Sequence, residues 1–332
     1  MKKHAVMRGL ILGASVLALS AFWQVDAQTR KRGTRKAAVP AVRFTSGNSA
    51  LKIPLEIDNN LLLLRVSVND SKPMKFIFDT GASHSTISSQ RATELGLKTE
   101  GEVSGRATGG PIRVAFIKGV SLSVLGAAVS NQSIGSMPFP AVPGFEFDGI
   151  IGYDFINQFV IEIDYLNKFM NLYDPRAYAY RGKEKAIPLL FDGGRIPFVV
   201  TKMVFEGRAP LEAKLEIDTG GDGTFVIRYP YVKKQRLLDA VPNATKNRGM
   251  GAGGEQQRVI GQVKAAHVGR FILKDLPLAL DTEGESAAED LDGVIGGEIF
   301  RRFKMILDYR HRRMFLEPNK SFNDPYNLEI GG

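Results

Sequence analysis

The 332-residue chain contains no cysteine. Disulfides, zinc–thiolate sites, a cysteine nucleophile and lipid attachment at an N-terminal cysteine are therefore excluded. Histidine is scarce: His4, His84, His267 and His311 are scattered, so the expectation is neither a metal site nor a cofactor. Tryptophan occurs once, as Trp23. After residue 27 no stretch is long and uncharged enough to cross a bilayer; residues 111–129 are apolar but carry Arg113 and Lys118. Net charge is also lacking where it would matter. Of the formal +9, residues 1–27 carry +2 and residues 28–43 carry +6, leaving +1 for everything else. A body so near neutral argues against a nucleic-acid partner, which needs a basic face on the folded part.

The N-terminal residues have their own pattern. MKKHAVMR is a basic opening, GLILGASVLALSAFW an apolar run, and Val25-Asp26-Ala27 a small-residue cleavage site before Gln28. The expectation is a signal peptide over residues 1–27, export to the periplasm or beyond, and no stable membrane insertion after cleavage. An uncleaved N-terminal anchor is the alternative. Residues 28–50 read as a basic disordered leader, with weak attraction to anionic membrane surfaces.

What is present is a repeat. FIFDTG at 76–81 recurs as LEIDTG at 215–220, each preceded by a matching opening, IPLEID at 53–58 and IPLLFD at 187–192. About 70 residues after each Asp-Thr-Gly, DGIIGYDFINQFVIEIDY (148–165) aligns without gaps with DGVIGGEIFRRFKMILDY (292–309). Between these blocks each half has a glycine-rich turn, at Gly109–Gly110 and at Gly253–Gly254. The chain is thus expected to be two copies of one unit joined near 176–186, spanning 51–182 and 183–318, with a polar tail over 319–332.

Each unit reads as mainly β. LLLLRVSV (61–68) and MKFIFD (74–79) are short apolar runs split by the turn NDSKP. STISSQRATELGL suggests a helix capped by Ser85 and stopped at Gly96. FINQFVIEIDY suggests a short helical turn feeding a strand. GDGTFVIRYPYVKKQ, richer in glycine, β-branched and aromatic residues, suggests a displaced or shorter helix in the second copy. GMGAGG (249–254) fits a dinucleotide-binding pattern in spelling only, because it lacks the strand-to-helix setting.

A carboxylate after an apolar strand is costly unless paired, neutralised or at work. Duplication supplies the partner: packing the two copies face to face would bring Asp79 and Asp218 together, sharing one proton. One carboxylate would then take a proton from water while the other polarises an amide carbonyl.

Hydrophobic-hydrophobic-Asp-Thr-Gly-Ala-Ser, followed downstream by Asp-Gly-Ile-Ile-Gly, resembles the aspartic proteases of the pepsin and retropepsin superfamily. The closest likeness is to bacterial exported proteins with two retropepsin-like units in one chain, and it covers nearly all of residues 51–318. The resemblance implies a bilobal acid-protease fold of two pseudo-twofold-related β-barrel lobes. It also implies aspartic endopeptidase activity on a peptide or protein substrate, without metal or cofactor, in a chain active as a monomer. Asp79 and Asp218 match the catalytic pair. Thr80 and Thr219 match threonines that cross between lobes, and Gly81 and Gly220 match glycines that let the loops approach the carboxylates. Ile150-Ile151-Gly152 and Val294-Ile295-Gly296 match the segments threading beneath the loops. Gly109, Gly110, Gly253 and Gly254 match flap tips, and Ala82, Ser83, Gly221 and Asp222 fall at positions that face substrate. Asp148 and Asp292, and Asp164 and Asp308, read as structural turn and strand-end residues.

There are departures. Ala82 and Gly221 replace the hydroxyl residue usual in pepsins, which implies a dyad that titrates at a less acidic pH. The arginine expected opposite Asp222 is replaced by Tyr153 and Gly297, leaving Arg301 or Arg302 as substitutes. The extra glycines of DTGGDGT motivate an alternative, a catalytically inactive relative that binds peptides or an envelope partner in the interlobe cleft.

Overall fold

The computed structural model describes residues 39–142, 144–284 and 290–326. The expected signal, the leader up to residue 38 and the tail beyond residue 326 lie outside the described residues.

The protein is built mainly of strands. Leu61–Val68 buries its leucines on both faces, turns at Asn69 in the left-handed region, and runs back as Met74–Phe78. The second half repeats this with Ile196–Val204 and Leu211–Ile217. Into each pair a third strand inserts in parallel: Gly149–Ile151 beside Phe76–Phe78, and Gly293–Ile295 beside Leu215–Ile217. These short strands are buried throughout, and their neighbours across the sheet are apolar except at Thr86 and Glu216. The short strands Thr86–Ser88 and Phe225–Ile227 then close against the inserted strands. The two large sheets follow this order strand for strand.

A third sheet of six strands joins the halves. Its central antiparallel pair is Val160–Asp164 against Phe303–Asp308, in which Glu162 lies opposite Ile306. These two residues occupy the same place in the aligned repeat blocks, so the internal twofold axis passes between them. The main core runs continuously from the first sheet through this one to the second, with Phe155, Phe159, Ile161, Phe300 and Leu307 fully buried.

Several local expectations need correction. The leader does not extend to residue 50: Ala41–Phe44 adds an edge strand to Ala127–Met137, and Ser49–Pro54 joins the six-stranded sheet. The first of these is almost wholly exposed, so its order comes from backbone pairing, which leaves no hydrophobic pattern to read. The tail is docked as far as it is described. Buried Arg302 donates to the carbonyls of Ser321, Phe322, Asp324 and Pro325, and Phe322 and Tyr326 pack on the core. The first helix, Ser89–Glu94, is capped by Ser88 rather than Ser85, because residues 86–88 are drawn into the sheet. Its counterpart Tyr229–Gln235 is neither shorter nor displaced, starting at the equivalent position with Pro230 in its first turn.

Candidate active site

Asp79 and Asp218 each follow the last residue of a strand, Met74–Phe78 and Leu211–Ile217, and each backbone N–H donates to the inserted strand, to Ile151 O and Ile295 O at 3.0 Å. That pairing fixes where the chain leaves the sheet and aims both side chains at the seam between the halves. Thr80 Oγ1 donates across the seam to Ile217 O at 2.5 Å, and Thr219 Oγ1 donates to Phe78 O at 2.8 Å. Each threonine hydroxyl also accepts the other's backbone N–H, at 3.0 and 3.2 Å. Four crossed bonds thus lock the two loops together.

Both aspartates are completely buried. Each has one oxygen held by the glycine two residues on: Gly81 N donates to Asp79 Oδ1 at 2.7 Å and Gly220 N to Asp218 Oδ1 at 2.8 Å. A Cβ on Gly220 would lie 2.5 Å from Asp79 Oδ2, and one on Gly81 would lie 3.1 Å from Asp218 Oδ1. Only glycine therefore lets each loop lie against the opposite carboxyl. The carboxyls are within hydrogen-bonding reach of each other. Among the described residues, Oδ2 of each has no hydrogen-bond partner. Burial, then the neighbouring negative charge of Glu216, push Asp79 up to about 7. Burial and the Asp79 charge raise Asp218 as well. Two adjoining carboxyls out of water retain a proton between them, which is the state that general acid–base chemistry needs. The glycine-rich DTGGDGT loop keeps Asp218 in the same relation to its glycine as Asp79.

A third buried carboxyl stands beside the pair. Glu216 is wholly buried two residues before Asp218, and its Oε2 accepts from Arg228 Nη2. Its Oε1 has no partner among the described residues and faces Gly81, where a Cβ would come within 2.6 Å of it. Burial, partly offset by Arg228, raises Glu216 to about 7.

The two glycine-rich turns form hairpin tips that meet over this site. Gly253 N donates to Thr108 O at 2.9 Å, and the Gly109–Gly110 backbone lies directly on that of Gly253–Gly254. Gly109 has φ +91°, and Gly254 has φ +122°.

The other expected substrate-facing residues divide. Ala82 O accepts from Tyr153 N and Gly221 O from Gly297 N, so their backbones tie the loops to the segments below. Ser83 Oγ lies 3.1 Å from His84 Nδ1, and His84 Nε2 lies 2.6 Å from Arg195 Nη1. Burial and Arg195 hold the His84 imidazole down to about 3. Asp222 is buried, and burial raises its carboxyl to about 7 despite the charge of Arg258. Neither Arg301 nor Arg302 reaches it; both pair with Glu298, and the cation facing Asp222 is Arg258 of the second hairpin. Asp148 and Asp292 accept the N–H groups of Lys75 and Lys214, and Asp164 and Asp308 accept from residues of the following turns.

Residues 64–155, running from the first hairpin to just past the inserted strand, match the family model described as aspartyl protease. The match spans the first Asp-Thr-Gly loop and its partner block, and it supports a relation of this segment to the aspartic protease superfamily. It lies within the first half of the chain and includes Asp79-Thr80-Gly81 and Ile150-Ile151-Gly152. A comparison with curated proteins found no match to the chain.

Glu216, Arg228, Arg258 and Asp281 escaped the sequence reading. The signal for the first was nonetheless present: where the repeat has Ile77 in FIFDTG, the second copy has Glu216 in LEIDTG. A charge at a position that the first copy fills with a buried apolar residue marks a place where the copies diverged.

Proposed function

We propose that the protein is an aspartic endopeptidase that hydrolyses peptide bonds in extended peptides. The observation that carries this reading is the pair of fully buried aspartates, Asp79 and Asp218, each with one carboxyl oxygen held by a glycine N–H and the other without a partner among the described residues. A water bridging the free oxygens would lose its proton to the ionised carboxylate as it attacks the scissile carbonyl. The protonated partner would donate to the carbonyl oxygen, giving a neutral tetrahedral diol. Collapse returns that proton to the carboxyl side and delivers the other to the leaving nitrogen, so the dyad ends as it began. The substrate would lie as an added strand beneath the hairpin tips, held by main-chain hydrogen bonds.

One chain supplies both aspartates, so the active form in this reading is a monomer, exported after loss of residues 1–27. The test is pepstatin-sensitive cleavage of a peptide library by the exported protein. Asp79→Asn and Asp218→Asn should each abolish it, by at least about a thousandfold. Peptide binding with no turnover at any pH between 3 and 7 would instead make the cleft a binding site alone.

A further inference from the structure

The internal repeat lets each wall of the cleft be compared with its counterpart. Strands Gly110–Val124 and Ala127–Met137 have the same lengths as Gly254–Val268 and Phe271–Asp281, and each first strand begins at a hairpin tip. In that alignment Val114 corresponds to Arg258 and Met137 to Asp281. Through the Asp-Thr-Gly loops, Ser83 corresponds to Asp222, and Ile77 to Glu216.

The first wall is apolar. Val114 and Met137 are buried in a small cluster with Ala82 and Ile112, and Ala252 of the opposite hairpin tip packs against it. The cluster therefore lies between the Asp79 loop and the tips, where a substrate side chain would sit. In the second wall the equivalent residues are charged and poorly matched to each other. Arg258 is 4 % and Asp281 7 % exposed. Arg258 Nε lies 3.3 Å from Asp281 Oδ1, yet the alignment is too poor for a hydrogen bond, and neither atom has another partner among the described residues. The charge of Arg258 also acts on Asp222, and that of Arg228 also acts on Asp281.

We propose that the cleft has two chemically unlike subsites: an apolar one at Val114 and Met137, and one at Arg258 and Asp281 that receives a glutamine or asparagine side chain. This rests on the peptide-binding cleft proposed above. A side-chain amide carries an acceptor and a donor a few ångströms apart. Its oxygen takes the spare donor of Arg258, and its NH2 group supplies the spare acceptor of Asp281. Glutamate or lysine would bring an uncompensated charge into a buried pair, and leucine would leave both atoms unsatisfied. Sites built to hydrogen-bond a substrate group reject analogues that lack it.

The test uses the full chain and a set of uncleavable reduced-amide peptides. Phenylalanine is fixed on one side of the central bond, and Gln, Asn, Leu, Glu or Lys stands on the other, in both orientations. Calorimetry should show Gln or Asn binding at least tenfold more tightly than Leu, Glu or Lys in one orientation. Arg258→Val/Asp281→Met, which installs the first wall's residues, should abolish or reverse that preference. If this variant fails to fold, Arg258→Gln serves for the same comparison. Equal or tighter binding of the Leu, Glu or Lys peptides, no binding of any peptide, or an unchanged preference in a folded variant each overturns the proposal. Ordinary peptides of the same sequences are assayed for cleavage in parallel. Amide-selective binding without cleavage removes only the proteolytic reading, and cleavage without selectivity removes only the subsite.

Discussion

Replacing Glu216 with glutamine keeps the shape of the side chain and removes one negative charge from beside the dyad. A Cβ placed on Gly81 would be 2.6 Å from Glu216 Oε1 and 3.1 Å from Asp218 Cγ, so the two carboxyls stand within roughly 6 Å. At that separation and an effective dielectric near 20, a unit charge is worth roughly 3 kcal/mol, or about two pKa units. Glu216 is itself raised to about 7 and so is only partly ionised near neutrality, which reduces the effect. Its removal also leaves the positive charge of Arg228 less compensated, which acts in the same direction. Both changes favour ionised aspartates, so both proton-loss midpoints of the dyad should fall, by about one unit or more. In a pH–rate profile the whole bell moves toward acid. Titration of ¹³C-carboxyl-labelled aspartates gives the same readout without turnover. A profile that stays in place, or moves toward alkali, in folded Glu216→Gln protein would refute the idea that this third carboxyl sets the working pH.

Other consequences are accessible to simple experiments. Burial holds Asp79, Glu216 and Asp222 near 7, so between about pH 4 and 7 the folded chain retains protons that the unfolded chain has lost, and stability should fall as pH rises through that window. His84, held down to about 3, works the other way below pH 6.5 and offsets part of the slope. Urea denaturation that shows greater stability at pH 7.5 than at pH 5 would contradict this. Thr80→Val should cost about 2–4 kcal/mol in the same assay, because it removes a buried bond to Ile217 O and an acceptor for Thr219 N. Gly109→Val places a side chain against the Gly254 backbone at φ +91°, so the tips should no longer meet: KM should rise several-fold with little change in Tm. Trp23 is the only tryptophan, so exported protein that has lost residues 1–27 should show tyrosine emission without tryptophan emission.

The parts legible from sequence were those where two copies agree. FIFDTG and LEIDTG, with their Asp-Gly-hydrophobic-Ile-Gly partners, located the loops, the inserted strands and the hairpin tips, because these positions are tied to backbone geometry that both halves must satisfy. What was not legible falls into two kinds. Ala41–Phe44 and residues 319–326 are ordered through backbone pairing and through carbonyls captured by Arg302, neither of which leaves a hydrophobic period in the sequence. Arg258 lies in a strand whose alternation is otherwise ordinary, and its meeting with Asp222 and Asp281 depends on sheet register. That register becomes visible only when Arg258 is found opposite Asp281.

The six-stranded sheet has a consequence for how the molecule comes apart. Ser49–Pro54, Val160–Asp164 and Phe169–Tyr173 lie edge to edge with Phe303–Asp308, Arg313–Pro318 and Ile187–Pro188, so the connecting segment is not what holds the halves together. A protease nick within 176–186 should leave a tight heterodimer of fragments, and two separately expressed halves should reconstitute each other. A half made alone would expose the margin of Val160–Asp164, centred on Glu162, and a strand that already meets its own counterpart across a twofold axis can equally meet a copy of itself.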